Sequence, residues 1–301
     1  MASEQREASS LPPWTLAVTA MLSVQLGSAL SVHVIHQVGA AGTAWLRLSW
    51  GALFFLAISR PKLRGLSRRN WGALLGLGMA TGLVTLAFLS AIARIPLGTA
   101  VAIEFLGPLS VAAWRAHRRA ALAWPALALG GVLVLTEPWQ GQLDGVGVAF
   151  AVLSALGWGS YILFTQAVGD RLEGISGLAV TTPIAALTAA TLGIHQAIGH
   201  LSPRTLVTLA GLALLLPVLP FALEMLALRR MTTTAFGTLM ALEPAFGAAI
   251  GLLVLGQHPK ATQVLGTALV VVAGAGAQRG GQRMMGREPD RDGDAEVGFL
   301  P

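Results

Sequence analysis

An all-α integral membrane protein of ten transmembrane helices, arranged as two inverted five-helix repeats, is the fold class this sequence predicts. Three observations predict it. Apolar stretches of the roughly 20 residues needed to cross a bilayer recur along nearly the whole 301-residue chain. An unusual stretch containing both a carboxylate and a proline occurs twice. The basic residues gather in short turns that fall on one side of the membrane when the spans are counted in order. Composition agrees, with 54% hydrophobic residues, 11% charged residues and a mean hydropathy of +0.68 leaving no room for a soluble domain. The 36 glycines lie mostly inside the apolar runs, where small residues let helices approach closely. A net charge of +6 would point to nucleic acid in a soluble protein, but here the basic turns set orientation, and no nucleic-acid partner is expected. With no cysteine, disulfides and thiolate metal sites are excluded.

In chain order, residues 1–13 form a polar tail with Glu4, Arg6 and Glu7, and span 1 (14–35) is long enough to be a retained helix rather than a cleaved signal peptide. Span 2 (43–59) holds Arg47 and runs into the basic turn Arg60, Lys62, Arg64, Arg68 and Arg69. Span 3 (71–92) leads back to Arg94. Span 4 (97–114) carries Glu104 and Pro108 and ends at Arg115, Arg118 and Arg119. Span 5 (121–136) closes a first repeat at 14–136. Span 6 (146–166) opens a second at 146–278, followed by span 7 (176–194) and by span 8 (205–226), which carries Glu224 before Arg229 and Arg230. Span 9 (235–255) carries Glu243 and Pro244, and span 10 (261–278) precedes a mixed-charge tail, 279–301, read as disordered. Sixteen basic residues then share one side, and Arg94, Arg204 and Lys260 lie opposite, so both termini are expected in the cytoplasm.

The internal repeat explains this parity. At an offset of 136, Ala91 falls on Ala227, Arg94 on Arg230 and Pro108 on Pro244. At a slightly smaller offset, Gly27-Ser28 falls on Gly159-Ser160. Copies separated by five spans must cross in opposite directions, because five is odd.

Charges inside spans are costly in lipid and mark cavities or partners, which singles out four residues. Glu104 and Glu243 lie about 10 and 13 Å along their spans, near middle depth, and each has a proline beside it that frees a backbone carbonyl: Pro108 that of Glu104, Pro244 that of Met240. Glu224 sits nearer a span end. Arg47 either balances a buried glutamate, holds a substrate carboxylate or snorkels outward. Gln25, Ser28, Trp158, Ser160 and Tyr161, on spans 1 and 6, suit a cavity wall or, for the aromatics, an interface. Gly237, Ala241, Ala245 and Ala249 form an every-fourth stripe expected to pack closely. His33, His36, His195, His200 and His258 are scattered over loops and span ends without a metal-site pattern, and no phosphate-binding glycine loop is present, so neither metal nor cofactor is expected.

Pro-Leu-Gly-Thr-Ala-Val-Ala-Ile-Glu-Phe-Leu-Gly-Pro at 96–108, Leu-Glu-Met-Leu-Ala-Leu at 223–228, Ala-Leu-Arg-Arg-Met at 227–231 and Phe-Gly-Thr-Leu-Met-Ala-Leu-Glu-Pro at 236–244 resemble the drug/metabolite transporter superfamily with its EamA-type repeat. Within it, the chain is similar to the bacterial threonine/homoserine exporter branch over roughly residues 14–278. That resemblance implies a non-enzymatic secondary transporter in the cytoplasmic membrane that exports amino acids or related metabolites by proton exchange, with its cavity between the halves. Protons, a small-molecule substrate and lipid are the expected partners, and a homo-oligomer is left open. Gln257 stands where the family commonly has a glutamate, so coupling through that position is in doubt. Two rival readings are a proton-coupled exporter of lipophilic cations, using one glutamate and aromatic walls such as Trp50, Trp158 and Tyr161, and a non-transporting membrane scaffold, which needs no mid-membrane acids.

Overall fold

The computed structural model describes residues 12–59, 68–115, 119–140, 144–168, 175–228, 230–231 and 233–285. Most of the basic turn after span 2, the N-terminal tail and residues 286–301 therefore lie outside the described residues, as do Arg118, Arg171 and Arg229. Among the described residues eight segments are long and apolar enough to cross a membrane, and the shorter apolar helices Ala123–Thr136 and Ala261–Ala277 complete the ten spans. Span 10 extends further than its apolar run, as one helix Ala261–Met285, because helix geometry continues past Gln278 once hydropathy fades.

The ends of the helices follow from local chemistry. Pro13 and Pro203 start spans 1 and 8, where the missing N–H removes nothing a helix needs, and Ser202 Oγ caps span 8 by accepting from Thr205 N at 3.1 Å. Gly39, at φ +84°, is the whole turn between spans 1 and 2, and the Gln196 carboxamide occupies the space a Cβ would need.

Three spans are discontinuous. Span 4 is two helices, Leu97–Glu104 and Leu106–Arg115, and span 9 is Thr233–Met240 and Glu243–Leu255. The first break is at Phe105 and the second at Ala241-Leu242, so the offset of 136 lays one break upon the other. Each precedes its proline by three residues or fewer. Span 8 divides around Pro217 into Pro203–Ala213 and Leu219–Leu228, with Leu216 non-helical between them, and Ser23 Oγ donates to the freed Leu215 carbonyl at 2.6 Å.

Packing obeys the same two-fold relation. Span 2 lies along span 7, span 4 along span 9 and span 5 along span 10. Span 3 meets spans 6 and 7, and correspondingly span 8 meets spans 1 and 2; span 4 meets span 6 as span 9 meets span 1. Adding five exchanges these pairs, and the odd number makes related spans antiparallel. Ten crossings also put both ends of the chain on one side, here called the terminal side.

The small-residue stripe of span 9 departs from expectation. Ala245 and Ala249 are exposed, and the face turned inward carries Glu243, Pro244, Gly247 and Gly251. The break at Ala241-Leu242 changes the rotation of the second half-helix, so positions four apart no longer share a face across it. Close approach to span 4 falls instead to Gly98, opposite the backbone of Ala248, and to Gly247, opposite Val101. Outside the bundle, Leu187, Val207 and Leu253 are more than two-thirds exposed, as lipid-facing residues are, and Trp14, Trp71 and Trp114 stand exposed near span ends on the terminal side.

Candidate functional site

The breaks in spans 4, 8 and 9 converge on one cavity of about 270 Å³ in the middle of the bundle. Glu104, the last residue of the first half-helix of span 4, and Glu243, the first residue of the second half-helix of span 9, both line it and are only 8% and 5% exposed. Glu224 and Arg47 line it as well. The four charged residues singled out by the sequence thus share one space. Gln25, Ser28, Trp158 and Tyr161 are also on its wall, whereas Ser160 is not. Ser160 Oγ donates to the Leu156 carbonyl of its own helix at 2.9 Å. The repeat equivalence of Ser28 and Ser160 does not carry over to their surroundings, because Gly27 faces Leu215 and Leu216 of span 8 while Gly159 faces Val111 and Gly107 of span 4. Trp50 also stays off the wall and stacks on Phe54 at 6.0 Å between ring centroids.

Hydrogen bonding distinguishes the charged groups. Arg47 is 4% exposed, and its Nη1 donates to Ser31 Oγ at 3.2 Å, while Ser31 donates to the Gly27 carbonyl at 2.6 Å. No carboxylate lies within ion-pair distance of Arg47 among the described residues, so most of its five N–H donors face the cavity without a protein partner. Snorkelling and pairing with a glutamate are both replaced by a buried cation held by one serine. Ser154 Oγ lies within hydrogen-bond distance of Glu104 Oε1 and of the Val84 carbonyl oxygen, 3.3 Å from the latter. Phe105, at the break, meets Trp158 edge-on with centroids 6.3 Å apart. Among the described residues no group of three His, Asp or Glu side chains is placed to hold a metal ion.

The two sides of the cavity are lined differently. Towards the side away from the termini, the main apolar core contributes Ile35, Leu48, Phe88, Leu89, Ile92 and Val101, all buried. That side is also tied by polar contacts between the halves. Gln257 Oε1 accepts from Leu97 N at 3.0 Å, Gln196 Oε1 accepts from Ala41 N at 2.9 Å and Gly42 N at 3.2 Å, and Arg94 Nη1 donates to Asp144 Oδ2 at 2.8 Å. The Arg94 hydrogen bond, foremost among several contacts, holds the Asp144 carboxyl below the usual carboxylate range. Towards the terminal side the lining continues through Tyr161, Leu178, Glu224 and Met240, all only half-buried. There a polar tie between halves is Ser59 Oγ to Ser176 Oγ at 3.2 Å.

Comparison with known proteins places this architecture. The chain is 34% identical over 273 residues to the threonine/homoserine exporter RhtA of Salmonella typhimurium (strain LT2), and to that of Escherichia coli (strain K12) to the same degree, covering 89% of this chain and 92% of each relative. The sequence model of the EamA-like transporter family matches residues 145–276. The chain belongs to this family. A solved crystal structure only 18% identical shares the fold of this EamA-type chain, with a TM-score of 0.58 over 88% of this chain and 98% of the other. It is a multi-pass membrane transporter rather than an enzyme.

Several lining residues of this EamA-type chain escape a reading of charge alone: Thr81, Thr85, Thr181 and Thr182, the aromatics Phe88 and Phe221, and Pro217 with Pro220. Threonine is inexpensive in a span because its hydroxyl can bond to its own helix, as Thr81 Oγ1 does to the Leu77 carbonyl at 2.8 Å, so it carries little signal. The two prolines were readable as a third interruption of an apolar run.

Proposed function

We propose that the protein exports small amino acids or related metabolites, of the kind its threonine/homoserine exporter relatives are named for, by alternating access coupled to protons. The observation that carries this reading is a mid-bundle cavity holding three carboxylates and one guanidinium that has no acidic partner among the described residues. A zwitterion needs both: a forked donor for its carboxylate and an anionic acceptor for its ammonium. A lipophilic cation would find aromatic walls in Phe88, Trp158, Tyr161 and Phe221, but it has no use for Arg47 and is repelled by it. A scaffold has no need of any of the four charges.

In this reading residues 14–136 and 146–278 are the halves that rock against one another, the terminal side is the cytoplasm, and the cavity is open inward to receive its cargo. The membrane is the bacterial inner membrane. Glu104, Glu243 and Glu224 are the proton-coupling candidates, and Pro108 and Pro244 keep spans 4 and 9 broken at the site. A proton rests on one of these carboxylates in the empty site, and Ser154 Oγ, within hydrogen-bond distance of Glu104 Oε1, holds the Glu104 side chain at the cavity. Arrival of a substrate ammonium then displaces the proton, and competition for one carboxylate gives exchange.

The test is threonine transport in proteoliposomes with an imposed pH gradient. Glu104→Gln and Glu243→Gln keep shape and hydrogen bonding but cannot release a proton, so gradient-driven accumulation should be lost in at least one, with downhill flux spared. Unchanged accumulation in the double variant removes both from the coupling step and leaves Glu224. No amino-acid flux in the unmodified protein overturns the substrate class.

A further inference from the structure

Among the described residues, two buried side-chain polar atoms have no hydrogen-bond partner: Gln25 Oε1 and Ser28 Oγ. Their residues are 2% and 0% exposed, and both line the cavity. A buried acceptor or hydroxyl left unsatisfied costs on the order of 1–3 kcal/mol, so such groups persist where something else completes them. The surroundings are close-packed: Gly247 lies against Gln25 Oε1, 3.3 Å from where a Cβ would stand, and Gly27 lets Leu216 of span 8 approach beside Ser28.

Their positions relative to Arg47 matter more. Gln25, Ser28 and Ser31 recur at every third residue of one helix, so they follow one face, and Ser31 is the residue to which Arg47 Nη1 is hydrogen-bonded. At a rise of about 1.5 Å per residue, Ser28 lies about 4.5 Å along the axis from that anchor and Gln25 about 9 Å. A carboxylate held on the free donors of Arg47 therefore leaves the first polar group of a short side chain near Ser28 and that of a slightly longer one towards Gln25.

Resting on the amino-acid reading above, we propose that Ser28 and Gln25 form the side-chain subsite and select substrates bearing a hydroxyl one or two carbons from the α-carbon. The hydroxyl donates to Gln25 Oε1 or exchanges hydrogen bonds with Ser28 Oγ. An isosteric aliphatic side chain leaves both unpaired. A site built to bond a hydroxyl rejects the analogue lacking it far more strongly than an apolar pocket rejects an added hydroxyl. Selectivity arises here from the cost of unpaired groups rather than from size.

The experiment is competition against labelled threonine in counterflow, using the full-length protein in proteoliposomes. Unlabelled threonine is compared with valine, in which a methyl replaces the hydroxyl, and homoserine with norvaline, related in the same way. The unmodified protein should favour each hydroxylated member by at least about tenfold. In Ser28→Ala and Gln25→Leu that preference should fall to within about threefold, chiefly because valine and norvaline compete better. Misfolding cannot produce such a gain for the aliphatic analogue. Should Gln25→Leu fail to insert, Ser28→Ala, which removes only one oxygen, carries the test alone. Threonine counterflow with unchanged preference in the variants means that ordered water completes these atoms, which overturns this proposal and leaves the transport reading standing. Absence of any amino-acid counterflow in the unmodified protein overturns both.

Discussion

Replacing Arg47 separates a binding role from a structural one, because the two predict opposite effects on stability. Arg47 is buried and hydrogen-bonded to Ser31 alone, with no carboxylate in ion-pair distance among the described residues. A buried cation without a counter-charge is a net cost to the empty protein. Arg47→Ala should therefore melt no lower than the unmodified protein in the absence of substrate. Substrate binding should suffer instead. A hydrogen-bonded contact between charged partners contributes about 1.5–3 kcal/mol, which at 1.4 kcal/mol per factor of ten weakens binding roughly 10- to 150-fold. Arg47→Lys keeps the charge but loses the fork, and a loss of about 1 kcal/mol gives roughly a fivefold effect. The assay is thermal-shift titration with threonine and with threonine amide, which lacks the carboxylate. The unmodified protein should favour threonine and Arg47→Ala should show no preference. Affinities within about twofold of the unmodified protein in both variants would falsify the assignment of Arg47 to the substrate carboxylate, and a large fall in the empty protein's melting temperature would return it to a structural role.

The remaining predictions concern conformation and orientation. Gln257→Ala removes one hydrogen bond that ties the halves on the side away from the termini and Gln196→Ala removes two, and at about 1 kcal/mol per bond they should shift the equilibrium roughly fivefold and roughly 25-fold towards opening there. Since the chain has no native cysteine, Val101→Cys on the cavity wall reports this as faster labelling by an impermeant thiol reagent from that side, and unchanged labelling removes the tie from the gate. Asp144 is an acid with a lowered pKa, so its contribution to the closed state is complete above the unfolded value of about 3.9 and fades only as pH falls through the lower folded value. Labelling of Val101→Cys should accordingly be flat between about pH 5 and 8 once corrected for thiol ionisation, and a midpoint in that range would exclude Asp144 as its cause. A periplasm-active reporter fused after Pro301 should be silent, and full activity would reverse the proposed orientation.

The ten spans were legible because hydropathy reports bilayer crossing directly, and parity then follows without any tertiary information. Glu104, Glu224, Glu243 and Arg47 were legible for a related reason: a charge in a span needs a polar environment, and four charges in a small bundle find it most readily in one cavity. What was not legible depends on rotation about helix axes. Ser160 aligns with Ser28 yet bonds to its own helix, and Trp50 packs on Phe54 away from the cavity, because sequence equivalence fixes depth and direction but not the neighbour a face meets. The stripe ending in Ala245 and Ala249 failed on a break that Pro244 foreshadowed but whose rotation no pattern of residues specifies.

That same loss of symmetry gives the site its polarity. The first half supplies Arg47, Gln25 and Ser28, while Glu224 and Glu243 come from the second, and Glu104 of the first half is bonded to Ser154 of the second. A symmetric cavity would offer a zwitterion two equal orientations and no reason to span the boundary. In the asymmetric one, on the reading proposed above, a substrate carboxylate on Arg47 and its ammonium on an acid of the second half would hold the two halves through the substrate itself. A ligand changes a conformational equilibrium only by as much as it binds one state better than another. On that reading, contacts that cross the moving boundary are the ones whose strength would change as the halves rock, so the opposed placement of cation and acids would let binding act on the gate.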